Sequence, residues 1–215
     1  MTRHEKWQAW LENELRQPYA QRIIETAKSL DRNFILSPDR DLWFRSLEFP
    51  DITKIHTIIT SSRPHREAYA SDGLAFSSIG DADRETGFLY RKLYSELGVV
   101  YDQYDNSKVR WLEQGVLCLP IELTTKSGQG HDQTQLWYPF TTRVLRYFIE
   151  ENQNRAFVFL DQYSQKNYNL FYDRNERPHF YYLEDIRFPD FLKRPLFKEL
   201  NKFIWENYQK EIDWS

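Results

Sequence analysis

Arg63, His65, Arg66, Glu67 and Asp72 fall within one stretch of ten residues. Carboxylates, an imidazole and guanidinium groups are the side chains from which proton transfer and the binding of anions or hydroxyls are built. They follow a short β-branched run, Ile55, Thr57, Ile58, Ile59 and Thr60, the pattern of a buried strand near 55–60 rather than of a helix. Pro64 can neither donate to a ladder nor let Arg63 settle into a helix, so the strand ends there. A buried strand that runs into a polar loop is where open α/β sheets place their chemistry. The loop closes on Gly73-Leu74-Ala75-Phe76-Ser77-Ser78.

Other elements must hold that loop in place. Apolar runs at 116–120, 156–160 and 180–184 predict three more strands, and helical patterns separate them. Trp7, Trp10, Leu11 and Leu15 repeat at helical spacing over 5–30, Pro18 interrupts, and Ile23, Ile24 and Ala27 resume the stripe. Ser37-Pro38 predicts a helix start and a short helix over 37–49. Further helices are expected over 87–94 and on the stripe Phe140, Val144, Leu145, Phe148 and Ile149. Strands alternating with helices predict an α/β fold, a three-layer sandwich. Its four-stranded, mainly parallel sheet would carry helices on both faces. No repeat or linker divides the chain, so a single domain over 1–215 is expected.

Composition narrows the function classes. With 40% hydrophobic and 28% charged residues the chain is globular rather than disordered. No apolar run approaches the roughly 20 residues of a membrane span, and the N-terminus lacks a signal-peptide core, which points to the cytoplasm and no membrane partner. Cys118 is the single cysteine and lies in an apolar run, so it reads as a reduced core thiol. Five dispersed histidines and one cysteine offer no metal-ligand spacing, and no cofactor is called for. A net charge of −3 gives no global basic field, so nucleic-acid binding would need a local basic face. Aromatics reach 17%; most must pack in the core, and a surplus would suit base stacking.

Several stretches in order resemble one family. Trp7, Trp10-Leu11, Glu14-Leu15 and Pro18-Tyr19 match an opening helix motif, and Gly73-Leu74 with Phe76-Ser77 match G-L-x-F-S. Trp111 and Gln114-Gly115-Val116-Leu117, with Leu119, Leu123-Thr124, Gly128 and His131, resemble W-A-x-Q-G-V-L-L-L followed by L-T-x-x-x-G-x-x-x-H. Trp137, Phe140-Thr141, Gln165-Lys166 and Ile212-Asp213-Trp214 continue the series. The chain is similar, from about Trp7 to Trp214, to the family-1 uracil-DNA glycosylases.

That resemblance implies a base flipped into a pocket, with Phe76 stacking on it and Pro64 on the family proline. Arg63 falls on the aspartate that positions the hydrolytic water, and Pro120 on the asparagine that reads the uracil edge. Glu184 to Asp190 replace the segment carrying the catalytic histidine. Guanidinium repels a sugar cation and proline has no side-chain amide, so uracil should not be a good substrate. The implied base pocket is Phe76, Arg63, His65, Glu122 and Pro120. Asp185 is the first candidate acid, then Glu67 and Asp72. DNA contacts are expected from Thr86, Gln165 and Lys166, and from Arg187, Phe188, Lys193 and Arg194, with Phe188 or Phe191 as a wedge. On one reading the chain is a monomeric DNA glycosylase for DNA containing a modified base, such as a hypermodified cytosine of phage DNA, in host defence. On the other it has lost catalysis and serves as a DNA-binding or protein-interaction module.

Overall fold

A computed structural model of the chain describes residues 1–49, 51–101, 105–128, 135–167 and 180–215; the expected His131 position lies outside them. Helix α1 (Arg3–Leu15) opens in a capping box, in which Thr2 Oγ accepts the Glu5 N–H and the Glu5 carboxylate accepts the Thr2 N–H. Helix α2 (Pro18–Asn33) starts on the proline expected to break the pattern, whose missing N–H costs nothing in a first turn. The segment read as a helix over 37–49 is instead strand β1 (Leu36–Ser37) followed by two 3-10 turns at Arg40–Leu42 and Arg45–Leu47. Tertiary pairing overrides the Ser-Pro signal here. β1 pairs antiparallel with β4 (Thr125–Lys126), and Ser37 Oγ donates to the carbonyls of His65 and Glu67.

The main sheet consists of β2 (Thr57–Ser61), β3 (Val116–Pro120), β5 (Ala156–Phe159) and β6 (Phe180–Leu183), within a residue or two of the expected runs. All are parallel, in the order β3-β2-β5-β6. Every residue of β2, β3 and β5 is buried, which requires cover on both faces and explains why these strands read as unbroken apolar runs. That cover includes α3 (Arg84–Leu97), α4 (Val109–Gln114), α5 (Tyr138–Glu151) and α8 (Phe197–Tyr208). Trp7 of α1 packs with Phe49 and with Phe148 of α5, while Trp111 of α4 meets Phe197 of α8 and Trp214. Most aromatics are thus core. Two short helices, α6 (Gln162–Gln165) and α7 (Asp190–Lys193), follow β5 and β6.

The chain leaves β2 for β3 on one side and returns to β5 on the other. The carboxyl ends of β2 and β5 therefore flank the switch point, the crevice where parallel sheets bind ligands.

Candidate active site at the strand ends

Strands β2, β5 and β6 each lead to a charged side chain at this end. Beyond β2, Ser61 Oγ donates to the Arg63 carbonyl and turns the chain out of the ladder. The Arg63 guanidinium lies 3.6 Å from Glu85 Oε1 at the start of α3, with only 16% and 20% of the two side chains exposed. Burial lowers the guanidinium from its usual value and raises the Glu85 carboxyl, and each partner opposes the other's shift. Asp161, directly after β5, is buried and accepts the Ser164 N–H at 2.9 Å; its charge bears on both Arg63 and Glu85.

Asp185, after β6, is buried and closely held. Arg187 reaches it with Nε at 2.9 Å, Nη2 at 2.6 Å and its backbone N–H at 3.0 Å. Burial alone would raise this carboxyl, but the Arg187 hydrogen bonds outweigh it and hold the group below its ordinary value.

Pro120 closes β3 opposite Ser61. As β3 is the sheet's edge strand, a missing N–H is tolerated there, and the ladder resumes with Ile121 and Glu122 donating to the Ser61 and Ser62 carbonyls. The G-L-x-F-S loop runs along that edge. Ala75 donates to the Cys118 carbonyl, and Gly73 lies at φ +86 where a Cβ would stand 2.5 Å from the Leu42 carbonyl. Phe76 is buried at φ +57, a left-handed backbone uncommon for a bulky residue and concentrated at functional sites.

Several expected site residues turn out to hold the scaffold. Asp72 accepts the Ser77 and Ser107 hydroxyls at 2.6 and 3.0 Å and the Leu74 N–H, fixing its own loop. His65 is 5% exposed and its Nδ1 accepts the Glu67 N–H, while the Glu67 residue itself is exposed. Glu122 is 1% exposed and accepts the Trp137 N–H at 3.0 Å at the start of α5. Burial pushes its carboxyl up to about 8, against the pull of the Trp137 and Tyr138 amides. Thr86 is buried behind the Asp83 cap of α3, so its hydroxyl does not face outward. Gln165 is half-buried and Lys166 exposed at α6. Phe191 is core, whereas Phe188 is 53% exposed beside exposed Arg187, Lys193 and Arg194. Lys193 pairs with Asp190 and Arg194 with Glu184.

Asp161 is not among the expected site residues, although the strand-end rule that singles out Arg63 applies equally after 156–160. Nothing local in the sequence announces the contact of Glu85 with Arg63. Among the described residues no group of three His, Cys, Asp or Glu could hold a metal ion, and no helix is long and apolar enough to cross a membrane.

No family model matches the chain. A uracil-DNA glycosylase of Coxiella burnetii is 26% identical over 224 residues, covering 100% of this chain and 96% of that protein. Uracil-DNA glycosylase 2 of Bacteroides fragilis is 26% identical and covers 98% and 97%. The crystal structure of mimivirus uracil-DNA glycosylase superposes with a TM-score of 0.81 at 15% identity, over 97% of this chain and 84% of that one. The chain is similar to uracil-DNA glycosylases along its whole length and has their fold. Within that parallel sheet, its strand ends bear Arg63, Pro120, Asp161 and Asp185.

Proposed function

We propose that this chain is a DNA glycosylase that rotates a modified base out of DNA into the strand-end crevice and hydrolyses its N-glycosidic bond, with uracil a poor substrate. The observation that carries the reading is the charged cluster at the switch point, where Arg63 and Glu85 face one another beside Asp161. A half-buried guanidinium among carboxyl groups carries a desolvation cost of several kcal/mol in a purely structural role, and this one stands where the fold admits a ligand. On the family resemblance, Phe76 is the residue that stacks on the flipped base. Pro120 removes a specific hydrogen-bonding partner for uracil, and with it the penalty that such a partner imposes on other bases. Arg187, Phe188, Lys193 and Arg194 form the outer DNA contact. The bases that fit are enlarged pyrimidines, among them the hypermodified cytosines of phage DNA, whose excision would defend a host that lacks them.

The test incubates the protein with phage DNA carrying hypermodified cytosine, with unmodified DNA and with uracil-containing single strands, and measures abasic sites with an aldehyde-reactive probe. Abasic sites confined to the modified DNA are the expected result. Rapid uracil excision refutes the specificity. The mutual pairing of Asp185 with Arg187 favours a second reading, a DNA-binding module without catalysis. Salt-sensitive DNA binding without abasic sites in any substrate would select it.

A further inference from the structure

Hydrolysis through a sugar cation calls for an acid or base close to the scissile bond. Position 63 offers a guanidinium, so the carboxylate has to come from elsewhere in the crevice. Asp185 is engaged on both oxygens by Arg187, and Asp161 is buried on the Ser164 amide. Glu85 differs from both. It stands in the first turn of α3, keeps a fifth of its side chain exposed, and meets Arg63 at 3.6 Å, longer than a hydrogen bond.

We propose that Glu85 is the general acid of the reaction, and that its substrates are amino-bearing bases of the cytosine type, which leave poorly as anions. The assignment rests on the glycosylase reading above. The Glu85 carboxyl proton passes to the flipped base as the bond from C1′ to the base nitrogen breaks, and the bonding pair leaves with the base. The base departs neutral, leaving a sugar cation and a Glu85 carboxylate. Water adds to C1′ and returns a proton to Glu85, which restores the acid and leaves an abasic sugar. Arg63 then has a defined part. Its ion pair with Glu85 is completed only as the proton departs, so it stabilises the transition state more than the ground state. Burial supports the protonated form by raising the Glu85 carboxyl. The charges facing it are Arg63 and Arg66 after β2, Asp83 on its own helix, Asp161 after β5 and Arg187 after β6.

The experiment follows abasic-site formation in phage DNA with hypermodified cytosine between about pH 5.5 and about pH 9, for the wild type, Glu85→Gln and Glu85→Asp, with DNA binding by anisotropy and a thermal melt for each. The expected loss in Glu85→Gln is about 10²–10⁴-fold at unchanged DNA binding, with Glu85→Asp between the two. Wild-type rates should fall with rising pH, and the residual Glu85→Gln rate should lack that limb. An active wild type with Glu85→Gln within about threefold of it, well short of a general acid's contribution, overturns the assignment and leaves the glycosylase standing. So does a wild-type rate with no alkaline fall, a measurement that needs no variant. A wild type that makes no abasic sites overturns the glycosylase reading, and the assignment with it.

Discussion

Replacing Glu122 by Gln should make the protein relatively more stable as pH rises. The carboxyl is buried at the start of α5 and moves from 4.5 to about 8 on folding. A folded-state value raised above the unfolded one gives a contribution fully present below pH 4.5 and lost as pH rises to about 8. Each unit corresponds to about 1.4 kcal/mol, so between about pH 5 and about pH 8 the wild type should lose on the order of 3–4 kcal/mol through this one group. Glutamine keeps a side-chain oxygen for the Trp137 amide and has no charge to bury, so the variant should lack that slope. Urea unfolding at about pH 5, 6.5 and 8 measures it, because the other titrating groups are shared and cancel in the difference. The stability difference should move toward Glu122→Gln by that amount across the range. A difference that stays constant with pH would refute the reasoning. Glu122 would then be ionised in the fold and available as a charged pocket group, as the sequence alone implied.

Gly115→Ala should destabilise by at least about 3 kcal/mol in the same assay: φ is +100 and a Cβ would stand 2.2 Å from the Lys54 carbonyl. Arg155→Met should cost about 3–5 kcal/mol, because the fully buried guanidinium donates to the carbonyls of Ile55, Phe148 and Ile52 at 2.7, 2.8 and 2.9 Å and pairs with Glu151; a fall below about 1 kcal/mol would mean that those carbonyls find other partners. Lys193→Ala with Arg194→Ala should weaken DNA binding and lower the slope of log affinity against log salt by up to about 2. Phe188→Ala should weaken binding without changing that slope, and salt titrations indifferent to all three changes would place the DNA elsewhere.

The main sheet was legible because its signals are local. A fully buried parallel strand must be apolar on both faces, so Thr57–Ser61, Val116–Pro120 and Ala156–Phe159 declare themselves as runs. Pro64 and Gly73 likewise mark turns by their own backbone chemistry. The 37–49 segment misled for a related reason. A Ser-Pro helix signal is worth little against a strand pairing, and the partner Thr125–Lys126 is remote in sequence. The Asp185–Arg187 pair was within reach of sequence reasoning, since the two residues are neighbours on one loop.

What the sequence determined by itself was the α/β sheet, its four strand positions and the set of polar residues delivered to the strand ends. Periodicity and turn chemistry act over a few residues, whereas the order β3-β2-β5-β6 came only with the tertiary pairing. Only the tertiary structure decided which of those polar residues meet. The crossover from β2 through α3 brings Glu85 against Arg63, and the turn after β3 sets Glu122 on the first amides of α5. A carboxyl's chemistry depends on the charge and solvent within a few ångströms of it, and a chain can place any distant segment at that distance. Glu122 therefore reads as a pocket acid in the sequence and becomes a buried helix cap, while Glu85, which no local signal marks, comes to face Arg63 at the strand ends.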